Sequence, residues 1–175
     1  MKMRLKLAFQ RVDRNSLLYS KLICWWTKSN IYHVEVIIDN DIWVSAVEGY
    51  GVTIHNLKPL GDDWVYIPLE DVRISVPDNA KFMKWLHSQK GSKYDWEGIV
   101  FTHIFGLGLH RSYKWFCSEF STIVLQKLKV PQMAGVSGHR ETPGMTFERF
   151  SSGKEKLLYP TLWSIVKDIY KGVRT

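Results

Sequence analysis

Two side chains in this sequence have the types and settings of a thiolate–imidazolium pair. Cys117 stands in Tyr113-Lys114-Trp115-Phe116-Cys117-Ser118-Glu119-Phe120, where a loop gives way to a helical pattern. His33 stands in Ile31-Tyr32-His33-Val34-Glu35-Val36-Ile37-Ile38, whose β-branched residues predict a strand. The first turn of a helix has backbone N–H groups without intrahelical partners and the positive end of the dipole, and both favour a thiolate. Residues two apart on a strand share a face, so Glu35 projects beside His33 and can stabilise its charged form. Each residue also has a plainer reading, the cysteine as a small apolar core residue and the histidine as a hydrogen-bonded structural one. Trp115-Phe116 before the cysteine and Ser118-Glu119 after it place Cys117 at a boundary between core and solvent, which favours the reactive reading.

The elements that must position this pair follow from periodicity. Met3, Leu5, Leu7 and Phe9 alternate with charged and polar residues and predict an opening strand. Asn15-Ser16 then caps a helix over residues 17–26. Strands are expected at 32–38, 42–47, 52–57 and 64–69, with hairpin turns at Asp39-Asn40-Asp41 and Gly49-Tyr50-Gly51. Helices are expected at 77–87, from Trp96 (capped by Asp95) to Gly106-Leu107-Gly108, at 116–128, and at 161–172. Residues 132–144 form the most loop-like stretch. Strands come first and helices second, so α+β fits better than alternating α/β.

Composition narrows the partners. A chain of 175 residues that is 45% hydrophobic suits one substantial core, so residues 1–175 are read as a single domain. The net charge of +7 is scattered, without a long basic run, and no specific nucleic-acid partner is expected. Cys24 and Cys117 do not make a disulfide framework. No stretch approaches the ~20 apolar residues of a membrane span. The N-terminus reads as a strand rather than a signal peptide, and a cytoplasmic location is expected. His55, His87, His103, His110 and His139 fall into no metal-ligand spacing, so no metal is expected. Gly106-Leu107-Gly108 lacks the strand-before-helix setting of a dinucleotide loop.

Tyr32-His33-Val34-Glu35-Val36-Ile37-Ile38, a short turn, Val44-Ser45-Ala46 and Gly51-Val52 resemble the histidine half of the permuted NlpC-type papain-like hydrolases. That group includes the lecithin retinol acyltransferase relatives and a set of bacterial and phage proteins. Lys93-Tyr94-Asp95-Trp96-Glu97-Gly98 followed by Trp115-Phe116-Cys117-Ser118-Glu119-Phe120 resembles their cysteine half. The histidine strand precedes the cysteine helix, as in the permuted members, and the resemblance covers about residues 30–125.

The resemblance implies a papain-like α+β fold, an antiparallel sheet packed against helices with the cysteine at a helix N-terminus. It implies Cys117 as nucleophile and His33 as general base. The third, orienting residue in the family comes from the strand after the histidine, which counting places near Ser45; Glu35 on the histidine's own face, or Glu48 after a small shift, are the other candidates. Tyr32, Tyr94, Trp115 and Glu119 would line the substrate cleft, and the Cys117 N–H would help hold an oxyanion. No cofactor is implied. Expected substrates are a peptide, a protein tail or an acyl lipid, with peripheral membrane contact through Trp25-Trp26 as a further option. A non-catalytic binding module on the same scaffold is the alternative.

Overall fold

The computed structural model describes residues 2–13, 15–39, 41–56, 61–95, 114–151, 160–161 and 165. Among them it is a mixed α+β protein built on a five-stranded antiparallel sheet. The strands are β1 (Lys2–Met3), β2 (Leu5–Arg11), β3 (Ile31–Ile38), β4 (Ile42–Val47), β5 (Gly51–His55), β6 (Trp64–Pro68), β7 (Val72–Arg73), β8 (Lys93–Tyr94) and β9 (Lys114–Trp115). The main sheet has the order β5-β4-β3-β2-β6, while β1 pairs with β7 and β8 runs parallel to β9. Four helices are described: α1 (Leu18–Thr27), α2 (Val76–Gln89), α3 (Cys117–Lys127) and α4 (Pro143–Phe150). None of them is long and apolar enough to cross a membrane.

Alternation divides the sheet into two unlike faces. Leu5, Leu7 and Phe9 of β2, Val34, Val36 and Ile38 of β3, and Val44 and Ala46 of β4 point to one side and are fully buried. There they meet Phe120, Val124 and Leu125 of α3, and Phe147 of α4 sets its ring edge-on to Phe9 at 5.1 Å. Trimming Phe120 to alanine in this interior would cost about 3–5 kcal/mol. The opposite side carries Ala8, Ile37 and Trp43 with Trp64 against them. His33 and Glu35 belong to that second face.

Close backbone approaches then fix the segments around the site. Gly51 has φ +72°, and a Cβ there would run into the Ser92 carbonyl oxygen. The bare glycine lets the Val52 N–H donate to Ser92 at 2.8 Å, which ties the approach to β8 onto the sheet. A Cβ on Gly144 would lie 2.4 Å from Ser29 Oγ, so the start of α4 rests directly on the turn before β3.

Several sequence expectations are corrected. The opening strand is split, Lys2–Met3 pairing with Val72–Arg73 and Leu5–Arg11 joining the main sheet. Asn15-Ser16 does not cap α1: Leu17 is the N-cap without a side-chain bond, and the Ser16 hydroxyl donates to Asp13 at 2.6 Å. Helix α2 begins earlier, with Ser75 Oγ accepting from the Asp78 N–H at 3.2 Å. Residues 132–144 hold two short 3₁₀ turns and the start of α4, a helix the sequence reading did not foresee. The helix expected from Trp96 lies outside the described residues, as does nearly all of the one expected at 161–172.

Candidate functional site

Cys117 is the first residue of α3 and 3% exposed. Its Sγ lies 3.9 Å from the Tyr32 carbonyl oxygen, which places the sulfur at the start of β3. His33 is the next residue, and its imidazole lies beside the Cys117 sulfur, close enough for the two to interact electrostatically. On its other side, His33 Nε2 lies 3.2 Å from Glu35 Oε1. Strand alternation puts the two side chains on one face, and the chain of contacts runs sulfur, imidazole, carboxylate.

Electrostatics agree with a charged imidazole. Burial opposes the imidazolium, but hydrogen bonds to Cys117 and Glu35, with their negative charge, raise the His33 pKa to about 10. Burial would raise the Glu35 carboxyl, yet His33 and His55 hold it down at about 2. His55 Nε2 faces the second oxygen, Glu35 Oε2, at 3.4 Å. That oxygen has no aligned hydrogen bond among the described residues, so His55 stands at contact distance from it without ideal bond geometry.

Tyr94, at the end of β8, lies beside Cys117 in the same pocket, where the two groups interact electrostatically. Burial pushes its phenol well above the ordinary value, with the negative charge of Cys117, Glu48 and Tyr19 adding to the effect, so the hydroxyl stays a donor. Tyr32 is also pushed up, first by burial. Both tyrosines line a pocket of about 30 Å³ beside Cys117, completed on other sides by Ile23 and Thr27 of α1 and by Phe116 and Pro143. Among the described residues no Asp, Glu, Lys, Arg or His side chain lines it.

The other expected site residues are placed elsewhere. Ser45 is fully buried and its hydroxyl donates to the Val34 carbonyl at 2.8 Å, so it does not orient His33. Glu48 lies by the Tyr19 phenol, whose pKa is raised first by burial and then by the Glu48 charge. Trp115 is not a pocket residue: its indole N–H donates to Gln89 Oε1 at 3.2 Å and its ring meets Phe120 edge-on at 5.7 Å. Glu119 is likewise outside the lining, 3% exposed, with its carboxyl pushed up to about 8 by burial and by the charge of Asp95.

Two contributors escaped the sequence reading. His55 reaches Glu35 because the hairpins bring Ile37, Trp43 and His55 into one cross-strand row; counting register across both turns would have found it. Glu141 is the second. Its carbonyl accepts from Ser118 Oγ at 2.7 Å, and its buried carboxylate is held by Arg149 Nη2 at 3.2 Å, which braces the first turn of α3.

Two larger hollows, about 250 and 360 Å³, lie at the other end of α3 near Arg73 and Lys129, remote from the sulfur. Chemistry rather than volume therefore picks the site. Among the described residues no group of three or more His, Cys, Asp or Glu is arranged to hold a metal ion. No family model, curated protein or solved structure matches this chain.

Proposed function

We propose that this protein is a cysteine-dependent hydrolase or acyltransferase on a permuted NlpC-type papain-like scaffold. The observation that carries the reading is the Cys117–His33–Glu35 contact chain, with the sulfur at a helix start and a charged imidazole beside it. The order of a histidine strand before a cysteine helix, and a helix packed on an antiparallel sheet, support the scaffold.

The reaction begins with the Cys117 thiolate attacking the carbonyl carbon of an amide, ester or thioester. The carbonyl π pair moves onto oxygen, and the oxyanion is met by the Cys117 backbone N–H and the Tyr94 hydroxyl. With Nε2 turned to Glu35, Nδ1 of His33 is the nitrogen left for the sulfur side. From there the imidazolium gives its proton to the leaving amine, alkoxide or thiolate as the carbon–heteroatom bond breaks. Neutral His33 then takes a proton from water, or from a second acceptor, as that oxygen attacks the thioester. The acid or transferred acyl product departs, and the thiolate and imidazolium are restored.

Around Cys117 the described lining is apolar or neutral, which favours an apolar group next to the scissile carbonyl over a carboxylate-bearing one. Leu17, Leu18 and Leu22, at the start and along the first half of α1, and Met145 on α4 are exposed apolar side chains on the two elements that flank it.

One observation favours a second reading. The pocket among the described residues is small, about 30 Å³, and Tyr32 and Tyr94 stand in its wall, as in a module that binds without turnover. Labelling with acyl and peptide activity-based probes separates the two. Hydrolysis predicts labelling of the wild type that disappears in Cys117→Ala and His33→Ala. Labelling that survives Cys117→Ala would sink the catalytic reading, and ligand binding that survives it without turnover in the wild type would establish the binder.

A further inference from the structure

Five side chains from four strands, His33 among them, close a ring of contacts. His33 Nε2 meets Glu35 Oε1 at 3.2 Å, and Glu35 Oε2 meets His55 Nε2 at 3.4 Å. The His55 ring stacks on Trp43 with centroids 6.3 Å apart and planes 15° from parallel. Trp43 sets its edge against Trp64 at 6.0 Å, and Trp64 meets the His33 ring edge-on at 6.1 Å. The circuit begins and ends on His33.

We propose that His55 is a positioning residue for the Cys117–His33 pair, holding one oxygen of Glu35 so that the other stays on His33. The proposal rests on the catalytic reading above. A carboxylate that is 6% exposed needs a partner for each oxygen, because little water reaches it. With Oε2 unclaimed, the Glu35 carboxylate turns about its last torsion, which is broad and soft. Oε1 then leaves Nε2, and the imidazole loses the contact that aims its other nitrogen at the sulfur. His55 itself is fixed from three directions: by its place on β5 opposite Trp43, by the stack on that indole, and by the walls Trp64 and Tyr66 give Trp43 at 6.0 and 6.1 Å. The groups facing Glu35 from the packed strands are His33, His55 and, from β6, the Tyr66 phenol. Of these, only His55 approaches the free oxygen at contact distance.

The test compares His55→Ala and His55→Gln with the wild type, by iodoacetamide alkylation of Cys117 at neutral pH and by kcat and KM on the best acyl probe. Glutamine keeps an N–H donor for Oε2. The expected result is a loss of roughly 10- to 100-fold in alkylation rate and kcat for His55→Ala, with KM nearly unchanged because His55 is outside the pocket. His55→Gln should recover most of the loss. Melting curves identify a variant that fails by unfolding; a folded His55→Ala with wild-type rates overturns the proposal, and so does a folded His55→Gln as slow as the alanine variant. A wild-type Cys117 no faster than an unactivated thiol would overturn the catalytic reading itself, which is a different result from fast alkylation indifferent to His55.

Discussion

The two cysteines of this protein are both buried and both helical, yet they sit in opposite chemistry. Cys24 is in the last turns of α1, with its carbonyl accepting from the Lys28 and Ser29 N–H groups, and burial alone pushes its thiol up to about 12. Cys117 opens α3 and meets His33, Tyr94 and the Tyr32 carbonyl. Exposure barely separates them, at 0% and 3%. Position along the helix and the charge of the neighbours separate them, so burial by itself does not distinguish the two thiol environments.

The largest expected effect tests that contrast directly. Cys117→Ala should lower kcat/KM on an acyl probe by roughly 10³-fold or more, whereas Cys24→Ala should leave it within about threefold. Equal losses from the two would erase the distinction. Next, His33→Ala should slow alkylation of Cys117 by about 10²-fold. Cys24 should stay unlabelled in the folded protein in either background, as read by peptide mass mapping.

The pH dependence sharpens the same contrast. His33 has a folded pKa raised to about 10, so the stability it lends is full below its ordinary value near 6.5 and is lost as pH climbs through 10. Turnover should fade over that alkaline window too, because the imidazolium that protonates the leaving group is lost. Glu35, held near 2, contributes stability above its ordinary 4.5 that is lost as pH falls through 2. Glu119 is a carboxyl raised to about 8, so its contribution is present below 4.5 and lost as pH rises through 8. Glu119→Gln should therefore flatten the decline in melting temperature between about pH 5 and 8. An unchanged slope would remove Glu119 from the account.

The smallest effect belongs to Cys24. Cys24→Ala should cost roughly 1 kcal/mol by urea denaturation, the loss of a small buried apolar group. A much larger loss, or any loss of turnover in a folded variant, would give Cys24 a role beyond packing.

The outline of the site was legible along the chain. Cys117 at a helix start follows from the switch between Trp115-Phe116 and the helical run, and the shared face of His33 and Glu35 follows from their spacing. The strands at 32–38 and 42–47 were recognisable from β-branched residues. Other features were not legible. Trp115 and Glu119 flank the cysteine closely, yet one turns to Gln89 and Phe120 and the other inward beside Asp95. Helix α4 escaped notice because Pro143 and Gly144 look like loop residues, although proline suits a helix's first turn and Gly144 is required by contact with Ser29.

The sequence by itself determined which residues could react and which face of its own strand or helix each would occupy. Those properties come from the sterics of neighbouring residues, which impose a period of two on strands and 3.6 on helices. Only the tertiary structure decided that Glu35 rather than Ser45 contacts His33, that His55 closes on Glu35, and that Tyr94 lies beside Cys117. Each of those meetings joins elements distant along the chain, so it depends on hairpin register and on how α3 packs across the sheet. Local spacing carries neither.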